Sequence, residues 1–140
     1  MSLAEQAAKK MFDTDRASQA LGMRIAAVGP GYAKLTMRVR GDMTNGHSTC
    51  HGGIIFSLAD SAFAFACNSY NLATVAAGCL IDFLAPAYEG DELTAEATEQ
   101  ALAGRSGVYD VSVTNQKGQR IALFRGRSRQ IGGEIVAVSK

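Results

Sequence analysis

From Ala33 to Arg40 apolar and polar residues alternate without a break, with Ala33, Leu35, Met37 and Val39 on one side and Lys34, Thr36, Arg38 and Arg40 on the other. A period of two predicts a half-buried strand. Residues 4–12 instead set Ala4, Ala8, Met11 and Phe12 on one face, with Glu5 early and Lys9 and Lys10 late, matching the sign of a helix dipole. A short surface helix is expected there. The segment from Gly52 to Asn68 follows neither pattern: Ile54, Ile55, Phe56, Leu58, Ala59, Ala62, Phe63, Phe65, Ala66 and Cys67 make it apolar on nearly every face, and Asp60 is its only charge. A helix of that kind is expected to be buried all round. Its length of roughly 25 Å falls short of a membrane span, and a mid-helix carboxylate argues further against one.

Beyond that helix the chain reads as strands. Leu72 to Ala87 is an apolar run closed by Pro86; Leu93, Ala95 and Ala97 alternate with Thr94, Glu96 and Thr98; Val108 to Asn115 follows. Gln116, Lys117, Gly118 and Gln119 then form a hairpin turn into Arg120 to Ile131. One strand, a buried helix and four strands on short links predict an α+β fold whose antiparallel sheet curls around the helix. With no repeat, low-complexity tract or linker, residues 1–140 are expected to form one domain.

Composition narrows the partners. Apolar residues at 47% and charged residues at 19% suit a folded globular chain, and a net charge of +1 with scattered Lys and Arg gives no field for nucleic acid. The opening MSLAEQAAKKMFDTD lacks the basic start and apolar run of a secretory signal, so a cytoplasmic location is expected. Cys50, Cys67 and Cys79 are odd in number and lack paired spacing, which predicts reduced thiols acting as small apolar fillers. A single domain of this size is also expected to need a second subunit to build a large cleft.

The suggestive side chains gather within a short stretch: Asn45, Gly46, His47, Cys50, His51, Gly52, Gly53 and Asp60. At its centre a helix begins, where first-turn N–H groups lack internal partners and glycines let a ligand approach closely. Gly52 and Gly53 are therefore candidates to polarise a carbonyl oxygen, or else they only fit a tight turn. Asp60 on an apolar helix is expensive unless it is paired or borders a cavity, where partial desolvation would raise its basicity towards that of a general base. Gly52 and Asp60 stand eight residues apart, roughly 12 Å along one helix, too far for both to touch one carbonyl. The spacing predicts a dimer with a site shared across a two-fold axis.

His47 and His51 with Asp60 could in principle ligate a metal, but the two histidines lie in a loop and no third exists, so no metal is expected. Cys50 beside His51 suggests a thiol nucleophile, except that neighbours in an extended loop point apart. Arg125, Arg127 and Arg129 share one face of the last strand and are candidates to bind a ligand's phosphates or to form an ordinary charged strand edge.

The runs CHGGIIFSLADSAFAFACNS, AAGCLIDFLAPAYEGDELTA and SGVYDVSVTNQKGQRIALFRGRSRQIGG closely resemble the PaaI branch of the hot-dog-fold acyl-CoA thioesterases, over residues 5–133. The resemblance implies a hot-dog fold, a long central helix wrapped by a curved sheet of five to six antiparallel strands, in chains that pair into dimers and commonly tetramers. It implies hydrolysis of aryl-CoA thioesters, phenylacetyl-CoA and its ring-hydroxylated forms among them, with CoA as part of the substrate and no cofactor or metal. It places the helix carboxylate on Asp60, the HGG turn on His51, Gly52 and Gly53, and the loop amide on Asn45. A hot-dog hydratase or dehydratase using His51 and Asp60, and a non-catalytic acyl-CoA-binding module, are the alternatives.

Overall fold

The structure, a computed structural model, describes residues 1–138. Two helices open the chain, α1 (Leu3–Thr14) and α2 (Arg16–Ala20), followed by strands β1 (Arg24–Gly29) and β2 (Tyr32–Arg38). A single 3-10 turn, Gly41–Met43, leads into the loop before α3 (Gly52–Cys67). Strands β3 (Leu72–Phe83), β4 (Glu92–Ala103), β5 (Ser106–Thr114) and β6 (Arg120–Glu134) complete one antiparallel sheet of six, ordered β1-β2-β4-β5-β6-β3. The curled sheet around one helix is the architecture the pattern predicts.

The inner face of the sheet follows from period-two alternation. Ala33, Ala97, Val111 and Phe124 pair in one row across β2, β4, β5 and β6, and Ile81 of β3 ends the row. Small residues on β4, Ala95 and Ala97, let α3 approach closely, and α3 touches all six strands. Phe63 projects from α3 onto Gly126 of β6, where a β-carbon would lie 2.7 Å from the ring, so only glycine leaves room for it. Burying a side chain of this size stabilises by about 1.5–3 kcal/mol. Asn68 ends the helix: its amide donates to the carbonyls of Ala64 and Thr74 and its Oδ1 accepts from Thr74 N–H, tying the helix C-terminus to β3.

Several expectations are corrected. The apolar run at 72–87 is a strand only to Phe83, since Leu84 N–H turns away to the Ile121 carbonyl. Strand β1 and helix α2 were not anticipated: β1 has a bulge between Ile25 and Ala27 that breaks its alternation, and α2 is a single short piece. Most important, α3 is not buried all round. Ile55, Leu58, Ala59, Ala62, Phe63 and Phe65 are buried, whereas Gly53 is exposed and Ser57, Asp60 and Ala64 are only half-buried. These four lie at helical spacing, one stripe that the chain's own sheet leaves uncovered.

The sheet ends differ as well. At the β3 end, Leu80 is 66% exposed and Leu72, Val75, Phe83 and Leu84 are also exposed. At the opposite end α1 packs against β1. No helix among the described residues is long and apolar enough to cross a membrane.

Candidate active site

The loop before α3 is built on Asn45. Its Oδ1 accepts from the N–H of His47 and from both the N–H and hydroxyl of Thr49, which folds the chain into a compact turn. His51 N–H to the Met43 carbonyl and Cys50 N–H to the Ala87 carbonyl, 2.8 and 2.7 Å, fasten the loop to its surroundings. The Asn45 amide NH2 donates to no acceptor among the described residues, so it is free to meet a ligand.

His51 caps the helix. Its Nδ1 accepts the Gly53 N–H at 3.0 Å, which places the ring proton of the neutral imidazole on Nε2 and uses up the Gly53 donor. The two candidate glycines are thereby distinguished: Gly52 N–H has no acceptor among the described residues and sits at the positive end of the α3 dipole. Gly52 lines an open cleft of about 350 Å³ with Cys50, Ile55, Phe83, Leu84 and Pro86. Phe83 is 51% exposed and its ring lies over Gly52.

Asp60 lies on the uncovered stripe of α3. It makes no ion pair and no hydrogen bond among the described residues, and its carboxyl is pushed above the ordinary range first by burial and then by the negative charge of Asp15. An ionisable group held half-buried and unpaired, with a raised pKa, has the properties of a general base. Within one chain Asp60 and the Gly52 N–H remain roughly 12 Å apart along the helix.

The remaining candidates fall elsewhere. The Cys50 thiol is pushed up to about 11 by burial and its Sγ points to the His51 carbonyl, so it is protonated and not aimed at the imidazole. The described residues contain no group of three His, Cys, Asp or Glu side chains placed to hold a metal. Arg125 and Arg127 lie on the outer face of the sheet, away from α3. Arg125 is already engaged by Asp110 in a two-point contact at 2.6 and 2.9 Å, while Arg127 runs beside Gly78 of β3. That outer face holds a larger hollow, about 470 Å³, but its Glu96 is bonded to Tyr32 and its Asp110 to Arg125. Size does not single out the site, since a hollow of about 600 Å³ between α1 and β1 is larger still; the unspent donor and acid favour the helix.

Sequence reasoning missed the packing of Phe83 on Gly52 and overlooked Asp15. The contact between Phe83 and Gly52 joins positions distant in the chain, and no local pattern signals it. Asp15 could have been found as a helix cap from Asp15 and Ser18 in DRAS.

A sheet rolled around one helix, with a free amide at the helix tip and an unpaired acid two turns on, defines the hot-dog thioesterase class. The chain belongs to the thioesterase superfamily, which matches residues 47–122. It is 50% identical over 130 residues to acyl-coenzyme A thioesterase PaaI of Escherichia coli K12, spanning 93% of both chains. The structure of the E. coli PaaI protein from the phenylacetic acid degradation operon superposes with a TM-score of 0.93 at 49% identity, covering 94% of this chain and 96% of that one. A variant of the phenylacetic acid degradation protein PaaI from Thermus thermophilus gives 0.81 at 37% identity, over 84% of this chain and all of the other.

Proposed function

We propose that this protein is an acyl-CoA thioesterase for aryl-CoA esters, phenylacetyl-CoA and its ring-hydroxylated forms, acting in phenylacetate catabolism in the cytoplasm. The observation that carries the chemistry is the unpaired Asp60 carboxyl on a helix stripe that the chain's own sheet leaves bare. The support for the substrate is the likeness to the E. coli thioesterase over nearly the whole chain.

The active unit is a homodimer paired through β3, with dimers joining into a homotetramer. The exposed apolar residues of the β3 end and the bare stripe of α3 support a second copy there, because continuing the sheet would cover both. Gly52 of one chain then works with Asp60 of the partner subunit. The thioester oxygen accepts the Gly52 N–H, and a fixed donor of this kind contributes about 3 kcal/mol to the transition state. Asp60 delivers water or attacks the carbonyl itself, expelling CoA as thiolate. Asn45 orients the ester or water through its free NH2, and His51 holds the turn. No metal or prosthetic group takes part.

A hydratase working through a His–Asp pair is disfavoured because the His51 Nδ1 is committed to Gly53. The test is incubation with phenylacetyl-CoA while free CoA is followed with a thiol reagent, with Asp60→Asn alongside. Thiol release by the wild type alone supports the scheme; no release from any aryl or aliphatic CoA ester rejects it. A single turnover in ¹⁸O-water then tests for the nucleophilic role of Asp60, since label enters its carboxyl only if Asp60 forms an anhydride that water opens at the Asp60 carbonyl.

A further inference from the structure

Asp15 precedes α2 and accepts the Ser18 N–H at 3.0 Å through Oδ1 and the Ser18 hydroxyl at 2.7 Å through Oδ2. Ser18 is buried, and its hydroxyl lies 2.8 Å from that of Ser61 on α3. Ser61 follows Asp60 in the chain. Three side chains thus clip the head of α2 to the turn of α3 that carries the unpaired acid. A cap alone needs only the contact within α2, whereas this one spans 43 residues.

We infer that Asp15 is a positioning residue for the reaction at Asp60: clamped by Ser18 and linked through Ser61, its carboxylate fixes a negative charge beside the reacting carboxyl. The inference rests on the reading of Asp60 given above. Its effect is electrostatic, because a like charge nearby opposes ionisation and makes the acid a stronger base once ionised. Among the described residues no cation acts on Asp60, including Arg16, which follows Asp15 on α2. No other residue of α3 is charged, and the titratable neighbours are the Cys67 thiol on α3 and the Cys79 thiol on β3, both of which feel the Asp60 charge. The only charge acting on Asp60 among the described residues is Asp15, in the same direction as burial.

Asp15→Asn removes the charge and keeps the cap: its one oxygen accepts the Ser18 N–H, and its NH2, in place of Oδ2, donates to the Ser18 hydroxyl, which is left to donate to Ser61. The experiment is titration of the Asp60 carboxyl by carbon NMR in the full-length wild type and variant, with the pH profile of kcat/KM for phenylacetyl-CoA beside it. The expected result is an Asp60 titration at lower pH in the variant, the acid limb of the profile moving the same way, and a nearly unchanged Tm. Asp13→Asn, an exposed acid of α1 paired with Lys9, is expected to move neither. Coincident Asp60 titrations in wild type and Asp15→Asn overturn the inference, as does an equal shift from Asp13→Asn. A shifted titration without hydrolysis of any CoA ester upholds the link and rejects the thioesterase reading instead. If Asp15→Asn folds poorly, Asp15→Ser, an equally good uncharged cap, takes its place under the same criteria.

Discussion

The ring of Phe83 lies across Gly52 so closely that a β-carbon at position 52 would stand 3.1 Å from Cζ and 3.5 Å from Cε1 and Cε2. The donor and the aromatic wall therefore share one surface. A thioester whose oxygen meets the Gly52 N–H brings its acyl group against that ring, and aromatic pairs gain about 0.5–1.5 kcal/mol beyond area burial. Phe83→Leu is expected to lower the ratio of kcat/KM for phenylacetyl-CoA over hexanoyl-CoA roughly two- to tenfold. Steady-state kinetics on the two esters reads this directly; an unchanged ratio removes Phe83 from specificity.

Two substitutions at Gly52 isolate its N–H. Both Gly52→Ala and Gly52→Pro add a β-carbon against Phe83, but only proline removes the donor. Proline suits the first position of a helix, and His51, at φ −58° and ψ 133°, already has the extended conformation that proline demands of the preceding residue. Gly52→Pro is expected to lose about 10²–10³ in kcat against Gly52→Ala with little difference in Tm. Equal kcat values would show that the amide is not the oxyanion donor.

Asp60→Asn is expected to cut turnover by about 10³-fold. It is also expected to raise Tm at neutral pH, because a carboxyl whose folded pKa lies above its unfolded value favours the fold when protonated and opposes it once ionised. The gain from asparagine therefore grows as pH rises through the folded pKa and vanishes below the ordinary carboxylate range. The group is only partly buried, so the gain is modest. Melting curves from pH 3 to 8 check the sign, and a variant less stable at pH 7 would contradict it.

If one chain supplies Gly52 and the other Asp60, two dead variants restore each other. Heterodimers of Asp60→Asn with Gly52→Pro contain one intact site and one doubly defective site. Random mixing makes half the dimers hetero, so about a quarter of wild-type activity is expected after denaturation and joint refolding. Activity no greater than the sum of the separately refolded variants places both residues in the same chain.

On the outer face, Arg125 is held by Asp110 whereas Arg127 makes no ion pair among the described residues. If CoA phosphates reach this strand, Arg127→Glu raises KM for phenylacetyl-CoA several-fold but not for the phenylacetyl thioester of N-acetylcysteamine, which has no phosphates. Equal KM values before and after the change leave the arginines as a charged sheet face.

Much of this arrangement is legible in the chain because each signal is local. Asp60 stands out as the only charge in a long apolar run, and the β2 and β4 alternations show which residues face inward. The bare stripe of α3 was not legible, since apolarity says that a face must be covered but not by what. The difference between Gly52 and Gly53 depends on where the His51 ring turns, which spacing does not record. The Asp15–Ser18–Ser61 clip joins segments that only the finished fold brings together, and the bulge in β1 hides its period.

The two ends of the sheet give assembly a stopping rule. A two-fold junction at β3 turns both outward ends into β1, a strand bulged between Ile25 and Ala27 and packed by α1. Neither end would then offer the apolar edge found at β3, so strand addition would terminate after one event. In the proposed pairing the edge that recruits a partner is consumed by it, so the sheet cannot continue into a ribbon, and joining two pairs into a tetramer would need a different face.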